Sequence, residues 1–277
     1  LRAGGEEDPR LRSSGLHAGV ERLRAQAALS WPQERQVLSR LGLADGACIL
    51  DLGCGPGFVT EALLSEFPAS TVVAVDLDQT MSDLVTARLG GQNAGRLAVI
   101  NSSALHVDLE DECIDFALAR FVFQHLAAPD LAAAEVFRLV RPDGRFAVVE
   151  VDEAIGGIVD PAMPALQAIG PKIAQVQANR GGNRFVGRRL WPLLEQAGFE
   201  ELSVDPILIH SDEIGLEPFL PQLDPERYRP FVALDGLTEQ DLQRYREDFE
   251  RFLSAPHPYV AHLLLIVSGR KPPSRAR

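Results

Sequence analysis

Three cysteines in 277 residues, Cys48, Cys54 and Cys113, are too few and too irregularly spaced for a metal cage or a disulfide framework. Cys48 and Cys54 flank or enter one strand-turn unit, which suits small buried side chains. Long apolar runs are missing as well: none approaches the roughly 20 residues of a membrane span. The opening LRAGGEEDPRLRSSG lacks the apolar core of a signal peptide, so residues 1–15 are expected to form a flexible leader and the cytoplasm is the expected location. Basic charge is scarce. With 27 Lys and Arg against 39 Asp and Glu, the net charge of −12 argues against a nucleic-acid partner. The two basic clusters, Arg184-Arg188-Arg189 and the tail from Arg270 to Arg277, are short enough to be a solvated helix end and a loose tail. Neither an internal repeat nor a low-complexity segment is visible.

The patterns that remain alternate between strand and helix. Residues 16–29 carry Leu16, Val20, Leu23 and Ala27 on one helical stripe, and Pro32 is expected to open a second helix ending near Gly42. ACILDLG reads as a short buried strand, and Phe58 to Phe67 as the helix after it. The apolar run Thr71 to Val75 has the β-branched character of a parallel strand buried on both faces. Further strands are expected at 96–100, 115–119 and 145–151, with helices over 79–89 and 130–140. Beyond them lie helix 187–197 stopped by Gly198, strand 201–210, a helical stretch 213–255 and a last strand 260–268. Within that stretch Thr238 is a plausible N-cap with Asp241 three residues on, followed by a stripe of Leu242, Tyr245, Phe249 and Phe252. The β-α-β order predicts a doubly wound α/β sheet.

One stretch carries chemistry. ILDLGCGPGFVT runs from strand into helix through Gly53, Gly55 and Gly57. The dinucleotide fingerprint GxGxxG would need its third glycine where Phe58 stands, and no GK[ST] follows to hold a triphosphate. Three glycines still let backbone approach a ligand closely, and the helix amides behind them favour an anion or a polar edge. Asp76, 19 residues past Gly57 at the end of the next strand, is placed to accept both hydroxyls of a ribose; a strand-end charge or helix cap is the plainer alternative.

ILDLGCGPG (49–57), VVAVDLD (72–78), FQHL (123–126) and LVRPDGRFAVVE (139–150) together resemble the class I S-adenosylmethionine-dependent methyltransferases, most of all their small-molecule branch. The likeness covers about residues 36–153. It implies a Rossmann-like seven-stranded doubly wound sheet with an antiparallel last strand and helical caps. It also implies S-adenosylmethionine as cofactor and S-adenosylhomocysteine as product. The turn of Gly53, Gly55 and Gly57 would lie against the methionine part and ribose. Asp51 would reach the methionine ammonium, Asp76 would hold the ribose hydroxyls, and Leu77 would pack on the adenine. Asn101-Ser102 stands where the family often has an acidic and an apolar residue. There the Asn101 carbonyl could accept from the adenine amine, and the Ser102 backbone N–H could donate to the ring. Arg120-Phe121 would line the sulfonium side.

Methyl transfer from a sulfonium needs alignment and exclusion of water more than a dedicated motif. An oxygen nucleophile also needs a base, for which His125 is the candidate; a structural role on the same loop competes with it. Glu150 and Asp152 end a strand where α/β ligands bind, and could touch substrate or metal or simply pair with arginines. His17, His106 and His257 are further titratable candidates. Arg22, Arg24 and Gln26 could close over the cofactor or form a solvated helix face. Phe185, Trp191, Phe219 and Tyr228 could line an acceptor pocket or pack a cap onto the sheet.

The expected organisation is a single methyltransferase domain over 16–277. Its core spans about 36–153, 186–212 and 257–270, with cap segments at 16–35, 154–185 and 213–256. The expected activity is methylation of an O- or N-nucleophile on a small molecule, of the kind found in specialised metabolism. No nucleic-acid, membrane or metal partner is expected, and the chain would be a monomer or homodimer. The rivals are a non-methylating reaction on the same fold and a non-catalytic cofactor-binding partner.

Overall fold

The strand Cys48–Leu52 (β1) lies between Thr71–Asp76 (β2) and Ile114–Arg120 (β4), parallel to both. The computed structural model describes residues 9–234 and 236–274, with side chains from residue 19 onward. Leu97–Asn101 (β3) adds outside β2, and Val140–Glu150 (β5) outside β4, again in parallel. Tyr259–Arg270 (β8) then pairs antiparallel with β5, and Glu200–His210 (β7) antiparallel with β8. The sheet therefore has the expected doubly wound form with its antiparallel strand. An eighth strand, Gly157–Asp160 (β6), is added: it pairs with the start of β8 from within the expected cap segment 154–185.

The period-two alternation of the central strands splits the core into two layers. Ile49, Phe116, Leu118, Ala147 and Val149 face one side. Leu50, Leu52, Ala117, Phe146 and Val148 face the other. Leu50 is fully buried, so truncation to alanine would cost roughly 2–5 kcal/mol. The first layer is roofed by Pro9–Arg40 (α1) and Phe58–Glu66 (α2), and the second by Pro129–Leu139 (α4) and Leu190–Ala197 (α6). Between these elements in chain order, Gln79–Val85 (α3) follows β2 and Pro164–Asn179 (α5) follows β6.

The two helices expected on either side of Pro32 are one continuous α1. A proline inside a helix costs about 3 kcal/mol. Tertiary ties on both sides of it offset that cost: Trp31 Nε1 donates to Glu66 at 2.8 Å, Arg35 pairs with the same carboxylate at 2.9 Å, and Leu29 and Leu38 are buried. The expected leader lies outside the described residues as far as residue 8; from Pro9 its backbone already belongs to α1. The expectation for His17 falls among side chains outside the described residues.

The cap segment 213–256 is a run of short helical turns ended by Glu239–Leu253 (α7). Thr238 and Asp241 form a reciprocal capping box at its start. Leu242, Tyr245 and Phe252 are buried along its stripe, and Tyr245 donates to the Leu223 carbonyl at 2.6 Å. Asp248 reaches from α7 to accept the Ala165 N–H at 2.7 Å, tying α7 to the first turn of α5.

Candidate functional site

The strand alternation decides which polar residues share the site. Asp51 lies on the same face as Ile49, and Arg120 on the same face as Phe116 and Leu118, so both point toward α1 at the carboxyl ends of their strands. That is where open α/β sheets bind ligands. A cavity of about 1060 Å³ opens there, between the strand ends, α1, α5 and the cap.

The glycine turn forms one wall. Gly53, Gly55 and Gly57 all have left-handed φ, at 72°, 51° and 78°. A Cβ on Gly55 would meet nothing within 4 Å, whereas one on Gly57 would press to 2.7 Å from Val85. Gly57 is thus held by packing, and Gly55 faces open space. Phe58, in the place of a third dinucleotide glycine, is sandwiched between the guanidiniums of Arg24 at 4.4 Å and Arg88 at 4.5 Å. Arg24 stays half-exposed on α1 with Glu21 at 3.5 Å, as the solvated-face reading expects, and does not line the cavity.

Asp51 is buried and accepts the Thr60 hydroxyl at 2.6 Å on Oδ2. Among the described residues its other oxygen has no donor. Burial raises its carboxyl to about 6, against the Thr60 bond and the Arg120 charge that lower it. A cation placed beside it would recover the ionised form.

Asp76 accepts the Gly55 N–H at 2.8 Å and the Asp78 N–H at 2.9 Å, so the same carboxylate shapes the turn and stands at its lip. Leu77 beside it is 73% exposed, a ledge of apolar surface. Asn101 donates its amide nitrogen to the carbonyls of Asp76 and Leu77, at 3.0 and 2.9 Å, which leaves its oxygen turned to other donors. The Ser102 backbone N–H is not free for a ring: it donates to the Asp76 carbonyl at 3.0 Å, continuing the β2–β3 ladder. Its hydroxyl donates to His106 O at 2.7 Å. Gly57, Asp76, Leu77, Asn101 and Ser102 stand outside the cavity lining, whereas Asp51, Gly53, Gly55, Arg120, Phe121 and His125 are part of it.

Arg120 has its donors engaged within the protein. Its guanidinium is paired with fully buried Glu34 of α1 and bonds Ser30 Oγ at 2.9 Å and the Gln26 carbonyl at 3.0 Å. It lines the cavity, yet its donors bind α1 to the sheet. Phe121 follows in left-handed conformation, φ 57°, with its ring 4.4 Å from the Arg120 guanidinium. Such a conformation in a bulky residue needs its surroundings to hold it, here including an N–H bond to the Val149 carbonyl at 2.8 Å.

His125 stands on the Phe123–His125 turn, with Nδ1 3.4 Å from the Gln177 amide of α5. Burial, and then the Arg184 charge, lower its pKa, so its imidazole is neutral near pH 7. Glu150, on the same face as Phe146 and Val148, is turned away into the second layer. It is fully buried, accepts the Gln124 backbone and side-chain amides at 3.1 Å each, and is pushed up to about 8 by burial. Asp152 is taken by Arg188 in a two-point pair, at 2.7 and 2.6 Å, which lowers its pKa. Neither carboxylate lines the cavity. His106 is an exposed loop residue and His257 lies in the bend before β8.

Of the four aromatics, Phe185 and Tyr228 line the cavity; Phe219 is buried against the edge of His262, and Trp191 is exposed on α6. Sequence reading passed over Gln222, Arg227 and His262, all of which line the cavity. His262 had one signal, a lone imidazole within an apolar strand. The DPERYRP context of Arg227 has none.

Comparisons with known proteins point to methyltransferases. A family model described as a methyltransferase domain matches residues 50–148. The malonyl-[acyl-carrier protein] O-methyltransferase of Geobacter sulfurreducens is 30% identical over 222 residues, covering 77% of this chain and 78% of the relative. The trans-aconitate 2-methyltransferase of Methylobacterium radiotolerans is 29% identical over 251 residues, covering 81% of this chain and 90% of the relative. Among solved structures, a Haemonchus contortus phosphoethanolamine N-methyltransferase 2 complex with S-adenosylhomocysteine superposes with a TM-score of 0.57. It is 16% identical, over 90% of this chain and 56% of that one, and so shares the fold.

Proposed function

The chain belongs to the class I S-adenosylmethionine-dependent methyltransferases, and on that premise we propose that it methylates an O- or N-nucleophile on a small organic acceptor held in the cavity. The carrying observation is that one cavity wall is the glycine turn with Asp51 while the opposite wall is built from cap residues. The cofactor supplies a methyl group already activated on a sulfonium.

The residues present fit it. Gly55 leaves an open cradle, the carboxylate of Asp51 has an uncommitted oxygen, and the exposed ledge of Leu77 adjoins the Asp76 carboxylate. In this reading Asp51 takes the ammonium, Asp76 the ribose hydroxyls, and Leu77 with the Asn101 oxygen the adenine. Phe121 and the Arg120 stem form the wall beside the reacting carbon. His125, neutral and on the cavity wall, takes the proton of a hydroxyl acceptor; an amine acceptor would need no base. The chain then works as one domain, with the cap excluding water from the aligned pair. The two relatives whose names specify malonyl-[acyl-carrier protein] and trans-aconitate support a metabolite acceptor. Among the described residues no helix is long and apolar enough to cross a membrane.

Calorimetric titration with S-adenosylhomocysteine, followed by mass spectrometry of candidate acceptors, tests the reading. Binding in the micromolar range and a product heavier by one CH2 are expected. Cofactor binding with an isomerised or cyclised product of unchanged mass would favour the non-methylating rival. No binding by the folded protein would remove the reading.

A further inference from the structure

The cap end of the cavity carries charge that methyl transfer itself does not use. Arg22 of α1 donates Nη1 to Gln222 Oε1 at 3.3 Å, and Gln222 returns its amide to the Arg22 carbonyl at 3.1 Å. Arg227 donates Nη1 to the Gln222 carbonyl. Two guanidiniums therefore converge on one buried glutamine, and all three residues line the cavity. His262 enters the same region from β8. Burial, and then the Arg227 charge, hold it down to about 4, so it is neutral.

The neighbouring arginines are paired: Arg229 and Arg246 share Glu226, and Arg184 takes Glu153. Among the described residues, no carboxylate stands within 4.0 Å of Arg22 or Arg227. Burial and the nearness of Arg227 also lower Arg22 to about 10, the mark of two like charges sharing a half-buried space. Such an arrangement is unfavourable until an anion enters. Guanidiniums are suited to hold a planar carboxylate through paired N–H bonds. Met163, Leu166, Phe231 and Leu264 supply apolar surface to the same cavity.

We propose that the acceptor carries a carboxylate, clamped by Arg22 and Arg227, with its hydrocarbon part against the apolar wall. This rests on the methyltransferase reading and names its substrate class. Arg22 is one helical turn, about 6 Å, before Gln26, whose carbonyl is bonded to Arg120. Arg227 and Gln222 belong to the cap, whereas the glycine turn belongs to the β1–α2 connection. The carboxylate in the clamp could come from the acceptor or from the methionine part of the cofactor, and the experiment separates these sources.

The full chain, loaded with S-adenosylhomocysteine, is titrated by calorimetry with octanoate and with its neutral counterpart octanamide. Octanoate is expected to bind at least about tenfold more tightly, in keeping with a desolvated charge pair. Arg227→Gln and Arg22→Gln should each erase that preference while S-adenosylhomocysteine affinity stays within about twofold. Equal binding of the two probes, no binding of octanoate, or a preference surviving in Arg227→Gln overturns the proposal. A tenfold loss of S-adenosylhomocysteine affinity in both variants also overturns it, because the clamp would then belong to the cofactor. The wild-type probe comparison needs no variant to fold. Failure of the wild-type protein to bind S-adenosylhomocysteine would count against the methyltransferase reading instead; the two probes on the unloaded protein would then still decide the clamp.

Discussion

Arg120 and Glu34 are joined with Nε 2.9 Å from Oε2, both side chains buried, across 86 positions of sequence. The pair fastens α1 to the end of β4 at the cavity wall. Removing one partner would strand the other charge in a place without water. Glu34→Gln should therefore destabilise the protein by about 3–5 kcal/mol. Replacing both with apolar residues, Glu34→Leu with Arg120→Met, should recover much of the loss. Urea unfolding of the two single variants and the double variant measures the coupling; simple additivity would show that the pair is not what holds α1.

Asp76 shapes the glycine turn and stands at its lip. Asp76→Ala is expected to weaken S-adenosylhomocysteine binding by roughly a hundredfold, the equivalent of two charge-assisted hydrogen bonds. The fold should persist, because the carboxylate is half-exposed and not part of the core. Calorimetry paired with a circular-dichroism melt tests both halves. Unchanged affinity would mean that β2 ends at the wrong residue for the ribose.

His125 as base predicts a particular pH profile. Its lowered pKa puts the acid limb of kcat below pH 6.5, with a plateau above it. His125→Ala should lower kcat by about a hundredfold for a hydroxyl acceptor and leave S-adenosylhomocysteine binding alone. An amine acceptor should lose far less. A profile unmoved by the substitution would return His125 to a purely structural role against Gln177.

Glu150 sets the alkaline side of stability. Its folded pKa of about 8 lies above the ordinary 4.5, so the folded state keeps a proton that the unfolded state has released. Its contribution is complete below pH 4.5 and declines as pH rises through 8, by about 1.4 kcal/mol per pH unit. His262 acts in the opposite direction. Its folded pKa of about 4 lies below 6.5, so its loss comes as pH falls from 6.5 to 4. Between pH 6.5 and 8 the Glu150 slope should show alone among these two, at about 2 kcal/mol over the interval. Glu150→Gln, with Gln124 turning its amide to match, should flatten it. Urea midpoints at four pH values across that range give the answer.

Much of this was legible from local patterns, for physical reasons that also mark where reading stopped. The ILDLGCGPG turn announces itself because backbone in left-handed conformation beside open space demands glycine. The capping box at Thr238 and Asp241 is equally local. Pro32 misled because its cost is overcome by distant partners, Glu66 among them, that no window around it contains. Strand-end position alone could not place Glu150; the parity of its face sends it into the second layer. The partner of Arg120 and the meeting of Arg22 with Arg227 are products of the fold, 86 and more than 200 residues apart along the chain.

Those separations bear on how the protein comes to exist. Helix α1 precedes its partners in the chain: Glu66, Arg120 and Gln222 all follow it during synthesis. Its Leu29 and Trp31 must wait, unburied, while the sheet they will cover is still being made. Closing loops of that length is slow. A ribosome-bound fragment ending before residue 222 could assemble the glycine turn and β1 to β5, and fasten α1 through Arg120, yet still lack one wall. The newborn chain could thus set its glycine turn in place well before the cavity beside it is closed.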